Sequence, residues 1–172
     1  MLKILRHIAS TGLISEAAPE ADDGLRLRSG LHARLLGVLG HALAIRHVDA
    51  GSCNGCELEI HALNNPIYNI EGLGIRFVAS PRHADLLLVT GPVSCHMEAA
   101  LQRTYEAMPD PKLVVAVGDC GCTGGIFGES YACRGPVSRV IPVDVAVPGC
   151  PPNPTRLLQG ILAAVARRHD GA

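Results

Sequence analysis

The chain has 172 residues, which suits one domain with a buried core, and 48% of them are hydrophobic. Aromatic residues make up only 3% and Trp is absent, so the core must be built from Ala, Val, Leu and Ile. The net charge of -1, without a block of like charges, argues against a nucleic acid as partner. No run approaches the roughly 18 apolar residues of a membrane span, and no export signal is evident, so we expect a cytoplasmic protein.

The first nine residues, MLKILRHIA, have apolar side chains at Leu2, Leu5 and Ile8. This spacing predicts a short amphipathic helix. We expect the helix to dock on a membrane arm or on a partner protein; the alternative is a helix that simply packs on its own domain.

Residues 16–30 are polar and rich in turn formers, and they are predicted to be a linker. Residues 31–42 are compatible with a helix. We therefore divide the chain into an N-terminal helix and linker arm, 1–30, and a single domain, 31–172.

Strand-like and helix-like segments alternate through the rest of the chain. The predicted strands are 42–48, 75–80, 85–91, 112–118 and a piece within 140–149. The predicted helices are 57–65, 97–108 and 155–168. This alternation predicts an α/β domain with a parallel sheet.

Seven cysteines are many for a cytoplasmic chain, where disulfides are rare, and they favour metal binding or redox chemistry. Cys53 and Cys56 form C-N-G-C, Cys120 lies in G-D-C-G-C-T-G-G, and Cys150 lies in P-G-C-P-P. Each motif follows the end of a predicted strand. Since sites in open α/β sheets form outside the carboxyl ends of the strands, these loops can bring the cysteines together.

A C-x-x-C pair alone is also compatible with a thioredoxin-like dithiol, and zinc sites usually pair two such knuckles. A set of two, one and one cysteines on separate loops fits a cubane cluster better, because each of its four irons binds one thiolate. Cys95, Cys122 and Cys133 are interpreted as small hydrophobic residues. Cys122 is the one that could replace Cys120 as a ligand.

Two acids follow the first motif. On a helix that starts near Cys56, Glu59 shares the face of that cysteine and could relay protons, whereas Glu57 points elsewhere. The alternative is that both acids only favour a helix N-terminus. Arg82 either places a positive charge near the cysteines or belongs to a turn before the next strand. Four scattered histidines are interpreted as surface or hydrogen-bonded residues: His47, His61, His83 and His96.

The three cysteine motifs, together with SPRHADLLLVTGPV, YEAMPDPKLVVAVGDC and IPVDVAVPGCPP, resemble the 20 kDa iron–sulfur subunit family of respiratory complex I and its hydrogenase relatives. The resemblance runs from about residue 43 to residue 165. Complex I members carry two adjacent cysteines at the first motif. The C-N-G-C found here instead resembles the small subunit of membrane-bound, energy-converting [NiFe] hydrogenases, including formate hydrogenlyase.

The resemblance implies a flavodoxin-like α/β fold and one [4Fe–4S] cluster. It assigns the ligands to Cys53, Cys56, Cys120 and Cys150, because the family pattern G-x-C-x-x-x-G-G selects Cys120 over Cys122. Glu59 matches an acid that relatives place toward the large subunit, near the proton route.

The implied function is electron transfer between the [NiFe] site of a large subunit and other iron–sulfur subunits. Implied partners are that large subunit, a ferredoxin-like iron–sulfur subunit and integral membrane subunits, with this chain peripheral on the cytoplasmic side. Two alternatives remain: a complex I-like subunit whose terminal cluster lies beside a quinone site, and a stand-alone zinc or dithiol protein.

Overall fold

The computed structural model describes residues 2–11, residue 37 and residues 41–170. Its strands are β1 (Leu43–Asp49), β2 (Ile75–Phe77), β3 (Leu86–Thr90), β4 (Val93–Ser94), β5 (Leu113–Val117), β6 (Cys133–Gly135) and β7 (Val145–Val147). Its α-helices are α1 (Leu2–Thr11), α2 (Gly55–Ala62), α3 (Glu98–Glu106), α4 (Gly118–Thr123) and α5 (Pro154–Asp170). Short 3₁₀ turns cover Glu71–Leu73, Pro81–His83 and Val137–Arg139.

Five strands form one parallel sheet in the order β2-β1-β3-β5-β7. Counted along the chain these are strands 2-1-3-4-5, the flavodoxin-like order, so the predicted fold is confirmed. In the register of the sheet, Leu88 on β3 lies opposite His47 on β1 and Val115 on β5. The strand order reverses between β1 and β3, and this crevice is where doubly wound sheets bind ligands.

Strands β3 and β5 are buried on both faces because helices or loops cover each side of the sheet. Leu88 packs on one face with Leu157 of α5, and Leu87 packs on the other face with Leu101 of α3. Each of these four side chains is fully buried. Burying a leucine contributes about 1.5–3 kcal/mol, so this aliphatic core holds the strands firmly in place.

The predicted strands and helices beyond residue 42 are all present, with shifts at their ends. Two features were not predicted: the six-residue helix α4 and the antiparallel pair β4–β6. The predicted linker 16–30 lies outside the described residues. So does the predicted helix 31–42, apart from residue 37, which is helical, and residues 41–42. In the part of the chain that the structure describes, no helix is both long and apolar enough to cross a membrane.

Candidate metal centre

The four cysteines of the three motifs, Cys53, Cys56, Cys120 and Cys150, line a single cavity of about 160 Å³ at the carboxyl edge of the sheet. Cys53 lies in the loop between β1 and α2, and Cys56 lies in the first turn of α2. Cys120 lies in α4 directly after β5, and Cys150 follows β7. Cys53 and Cys150 are exposed, whereas Cys56 and Cys120 are partly buried, so the cavity opens at the surface.

Two aspartates shape the loops that carry these thiols. Asp49 Oδ1 accepts hydrogen bonds from the backbone N–H groups of Gly51 at 2.8 Å and Ser52 at 2.7 Å, which turns the chain toward Cys53. Asp119 donates its backbone N–H to the Gly149 carbonyl, and its Oδ1 accepts from the Gly149 N–H, both at 2.8 Å. This reciprocal pair ties α4 to the loop after β7, and therefore holds Cys120 near Cys150.

Glycines leave room for the sulfur atoms. A Cβ at Gly118, where φ is +80°, would lie 2.7 Å from Cys56 Sγ. A Cβ at Gly125, where φ is +54°, would lie 2.8 Å from Cys120 Sγ. Both separations are shorter than side chains tolerate, so these two positions require glycine for backbone conformation and for space.

The thiols of the cavity influence one another electrostatically. Burial, together with the negative charges of Glu57, Cys53, Cys120 and Cys150, raises the pKa of the Cys56 thiol to about 12. Burial also raises the pKa of Cys120, with additional contributions from Cys150, Cys53 and Asp119. Four thiolates therefore need compensating positive charge in this cavity. Iron ions supply such charge, so the donor set and the glycine-lined space fit an iron–sulfur cluster.

The remaining three cysteines do not line this cavity. The Cys122 thiol donates to the Ala116 carbonyl at 3.6 Å, and burial raises its pKa to about 11. The Cys95 thiol donates to the Tyr131 carbonyl at 3.1 Å, and Cys133 begins β6. All three are partly buried.

The buried acid of α2 is Glu57, not Glu59. Glu57 is only 7% exposed and its Oε2 accepts a hydrogen bond from Ser52 Oγ at 2.6 Å, whereas Glu59 is partly exposed. Glu57 does not line the cysteine cavity, as expected, but its burial was not predicted. Ile60 is buried with it on the same face, three residues later. That i, i+3 pairing with an apolar residue is the sequence signal that would have indicated an inward-facing Glu57.

Glu57 also borders a second cavity, of about 360 Å³, between β1, the end of β2 and α2. Its lining consists of Arg46, His47, Glu57, Ile60, His61, Asn64, Phe77, Val78 and Ala79. Among the described residues, two buried polar atoms without a hydrogen-bond partner are Glu57 Oε1 and Arg46 Nε. His47 Nε2 lies 3.7 Å from Glu57 Oε1 and is hydrogen-bonded to Thr90 Oγ1 at 3.0 Å.

Arg82 does not line either cavity. It is exposed within the 3₁₀ turn Pro81–His83, which agrees with the turn interpretation. His47 is hydrogen-bonded, as the histidine interpretation expected.

Comparison with known proteins identifies relatives of this chain. The probable membrane-bound hydrogenase subunit mbhJ of Pyrococcus furiosus is 47% identical over 135 residues, covering 78% of this chain and 81% of that protein. Formate hydrogenlyase subunit 7 of Escherichia coli is 42% identical over 137 residues, covering 80% of this chain and 54% of that longer protein. A chain in the structure of the membrane-bound sulfane sulfur reductase, an archaeal respiratory membrane complex, superposes with a TM-score of 0.66 at 32% identity, covering 87% of this chain and 78% of that one.

A family model described as "NADH ubiquinone oxidoreductase, 20 Kd subunit" matches residues 53–164. This range contains all four cysteines of the cavity and more than half of the chain. The chain therefore belongs to the 20 kDa subunit family of NADH ubiquinone oxidoreductase, and its relatives include subunits of hydrogenase complexes.

Proposed function

We propose that this chain is the electron-transfer subunit of a membrane-bound, energy-converting hydrogenase and that it carries one [4Fe–4S] cluster. The ligands are Cys53, Cys56, Cys120 and Cys150. When bound, the cluster accepts and releases one electron at a time. The chain itself supplies four thiolates. Its glycines leave space beside the sulfur atoms, and the hydrogen bonds of Asp49 and Asp119 fix the loops that carry the cysteines.

The observation that carries the proposal is the convergence of four thiols around one cavity. Within the described residues, no group of three or more His, Cys, Asp or Glu side chains is arranged to hold a single metal ion. A zinc site needs ligands that converge on a point, whereas a cubane needs thiols that surround a space. Four thiols around a cavity of about 160 Å³ match the second requirement.

The exposure of the cavity supports an exchange of electrons with a neighbouring subunit. Two of the four thiols, Cys53 and Cys150, reach the surface. A partner that covers this edge would complete the burial of the cluster and bring its own redox centre close. We assign that position to a large [NiFe] hydrogenase-like subunit, with a ferredoxin-like iron–sulfur subunit and integral membrane subunits completing a complex on the cytoplasmic side of the membrane.

The hydrogenase assignment is favoured over the complex I-like alternative by the spacing of the first motif. C-N-G-C separates Cys53 and Cys56 by two residues, and the matching relatives include a hydrogenase subunit and a formate hydrogenlyase subunit. Nickel in the complex purified with this chain is expected. A nickel-free complex that reduces quinone would reverse the choice.

Glu59 remains our proposed proton relay. It is partly exposed on α2, three residues after Cys56, and so can face a subunit that covers the cavity. In the same proposal, residues 1–30 form an arm and residues 31–172 form the iron–sulfur domain.

The ligand assignment is tested by a matched pair of substitutions, Cys120→Ser and Cys122→Ser. Cys120 borders the cavity, whereas the Cys122 thiol is directed to the Ala116 carbonyl. After anaerobic purification, Cys120→Ser should lose the four-iron cluster and its reduced-state EPR signal, and Cys122→Ser should retain both. Retention of the cluster in Cys120→Ser and its loss in Cys122→Ser would reassign the ligand.

A further inference from the structure

Helix α1 is divided into an apolar half and a basic half. At about 100° per residue, Leu2, Ile4, Leu5 and Ala9 fall on one half of its circumference. The other half carries Lys3, Arg6 and Ser10. This separation is that of a helix that lies at a boundary between an apolar and an aqueous phase.

The apolar side chains that the structure describes on α1 are exposed. Leu2 is 86% exposed, Ile4 is 65% exposed and Leu5 is 63% exposed. These exposures favour docking over the alternative of a helix that packs on its own domain. Three large exposed aliphatic side chains on one short helix indicate an interaction surface.

The charge of the helix distinguishes between a protein partner and a lipid surface. Lys3 and Arg6 are both exposed, and no acid precedes Glu16 in the sequence. The apolar side chains described on this helix are all aliphatic, whereas protein-binding hot spots are enriched in Trp, Tyr and Arg at the centre of an interface. A basic half beside an aliphatic half fits a lipid surface with anionic headgroups.

We propose that α1 lies in the headgroup region of an anionic membrane, with Leu2, Ile4 and Leu5 inserted and Lys3 and Arg6 on the phosphates. This inference rests on the membrane-peripheral placement in the proposed function but not on the cluster. It gives the chain a lipid contact of its own, in addition to any contact through partner subunits.

The test measures partition of the full-length, cluster-loaded chain onto sedimented vesicles of phosphatidylcholine with or without phosphatidylglycerol. Binding is expected on the anionic vesicles and not on pure phosphatidylcholine. Because a cation near an anionic surface contributes about fivefold to partition, Lys3→Gln/Arg6→Gln should weaken binding about 25-fold. The matched control Arg76→Gln/Arg82→Gln removes two exposed arginines of the domain and should bind like the wild type.

A second pair tests the apolar half. Leu5→Ser should weaken partition by about tenfold, whereas Ile126→Ser, which removes a 94% exposed aliphatic residue of the domain, should not. Equal binding to both vesicle types, or equal losses in α1 variants and controls, would overturn the proposal. So would α1 variants that still bind vesicles but dissociate from partner subunits in detergent, because the occupant would then be a protein. Iron content is measured in parallel, so loss of the cluster with intact vesicle binding would contradict only the proposed function.

Discussion

Gly118→Ala is the substitution that tests the geometry of the cavity most sharply without removing a thiol. Alanine at a φ of +80° costs about 1–2 kcal/mol because its Cβ crowds the following carbonyl. Its Cβ would also lie 2.7 Å from Cys56 Sγ, and ordinary contact begins at 3.4 Å. Restoring an ordinary contact therefore requires the sulfur to move by about 0.7 Å, the difference between these two distances. Ligand sites tolerate about 0.5 Å, so we expect cluster occupancy to fall steeply.

Gly128→Ala is the matched control. Gly128 also has a positive φ, +54°, but a Cβ there would meet nothing within 4 Å. Both variants should lose about 1–2 kcal/mol of unfolding free energy in urea titrations, and only Gly118→Ala should lose iron and EPR signal per folded chain. A Gly118→Ala protein with full iron content and an unchanged EPR spectrum would show that Cys56 Sγ does not occupy the position on which the ligand assignment depends.

Four further variants test the roles of Glu59, Glu57 and His47. Glu59→Gln should slow proton-coupled turnover of the complex and leave the cluster spectrum unchanged; unaltered turnover would remove Glu59 from the proton route. Ser52→Ala removes the hydrogen bond to the buried Glu57 side chain and should lower the unfolding free energy by about 1–3 kcal/mol. The loss should be smaller in Ser52→Ala/Glu57→Gln, because a neutral amide is less costly to leave unpaired. Burial lowers the pKa of His47 from 6.5 against the opposing effect of Glu57, so its contribution to stability is complete above pH 6.5 and decreases as the pH falls below it. In urea titrations on either side of pH 6.5, His47→Gln should reduce this pH dependence, and an unchanged dependence would contradict the burial argument.

The sheet could be predicted from the sequence because its strands are apolar runs with clear ends. LLLVT and LVVAV are buried along their whole length, which is the pattern of central parallel strands. The motifs after these strands then had to meet at one edge. Four cysteines from three loops were therefore predicted to lie together.

Helix α4 could not be predicted because GDCGCT contains two glycines and no strong helix former. Tertiary contacts hold it: α4 lies against β5 and β7, and the Asp119–Gly149 hydrogen bonds fix its first turn. The strands β4 and β6 are two and three residues long, too short for an alternating pattern to be evident.

The inward orientation of Glu57 was missed for a different reason. The spacing of three residues places Glu59 one helical turn after Cys56. It does not determine which side of α2 faces the domain, because that depends on packing. Ile60 is buried against the aliphatic core, and this fixes the rotation of the helix that also buries Glu57. The partner of Glu57, Ser52, precedes the helix, so only the folded loop brings the two side chains together.

The most direct test of the central claim is to purify the chain anaerobically with its partners and to measure iron, sulfide and low-temperature EPR. We expect about four irons and four sulfides per chain and the signal of a reduced [4Fe–4S] cluster. A folded chain that contains zinc, or a colourless folded chain with intact thiols, would contradict it.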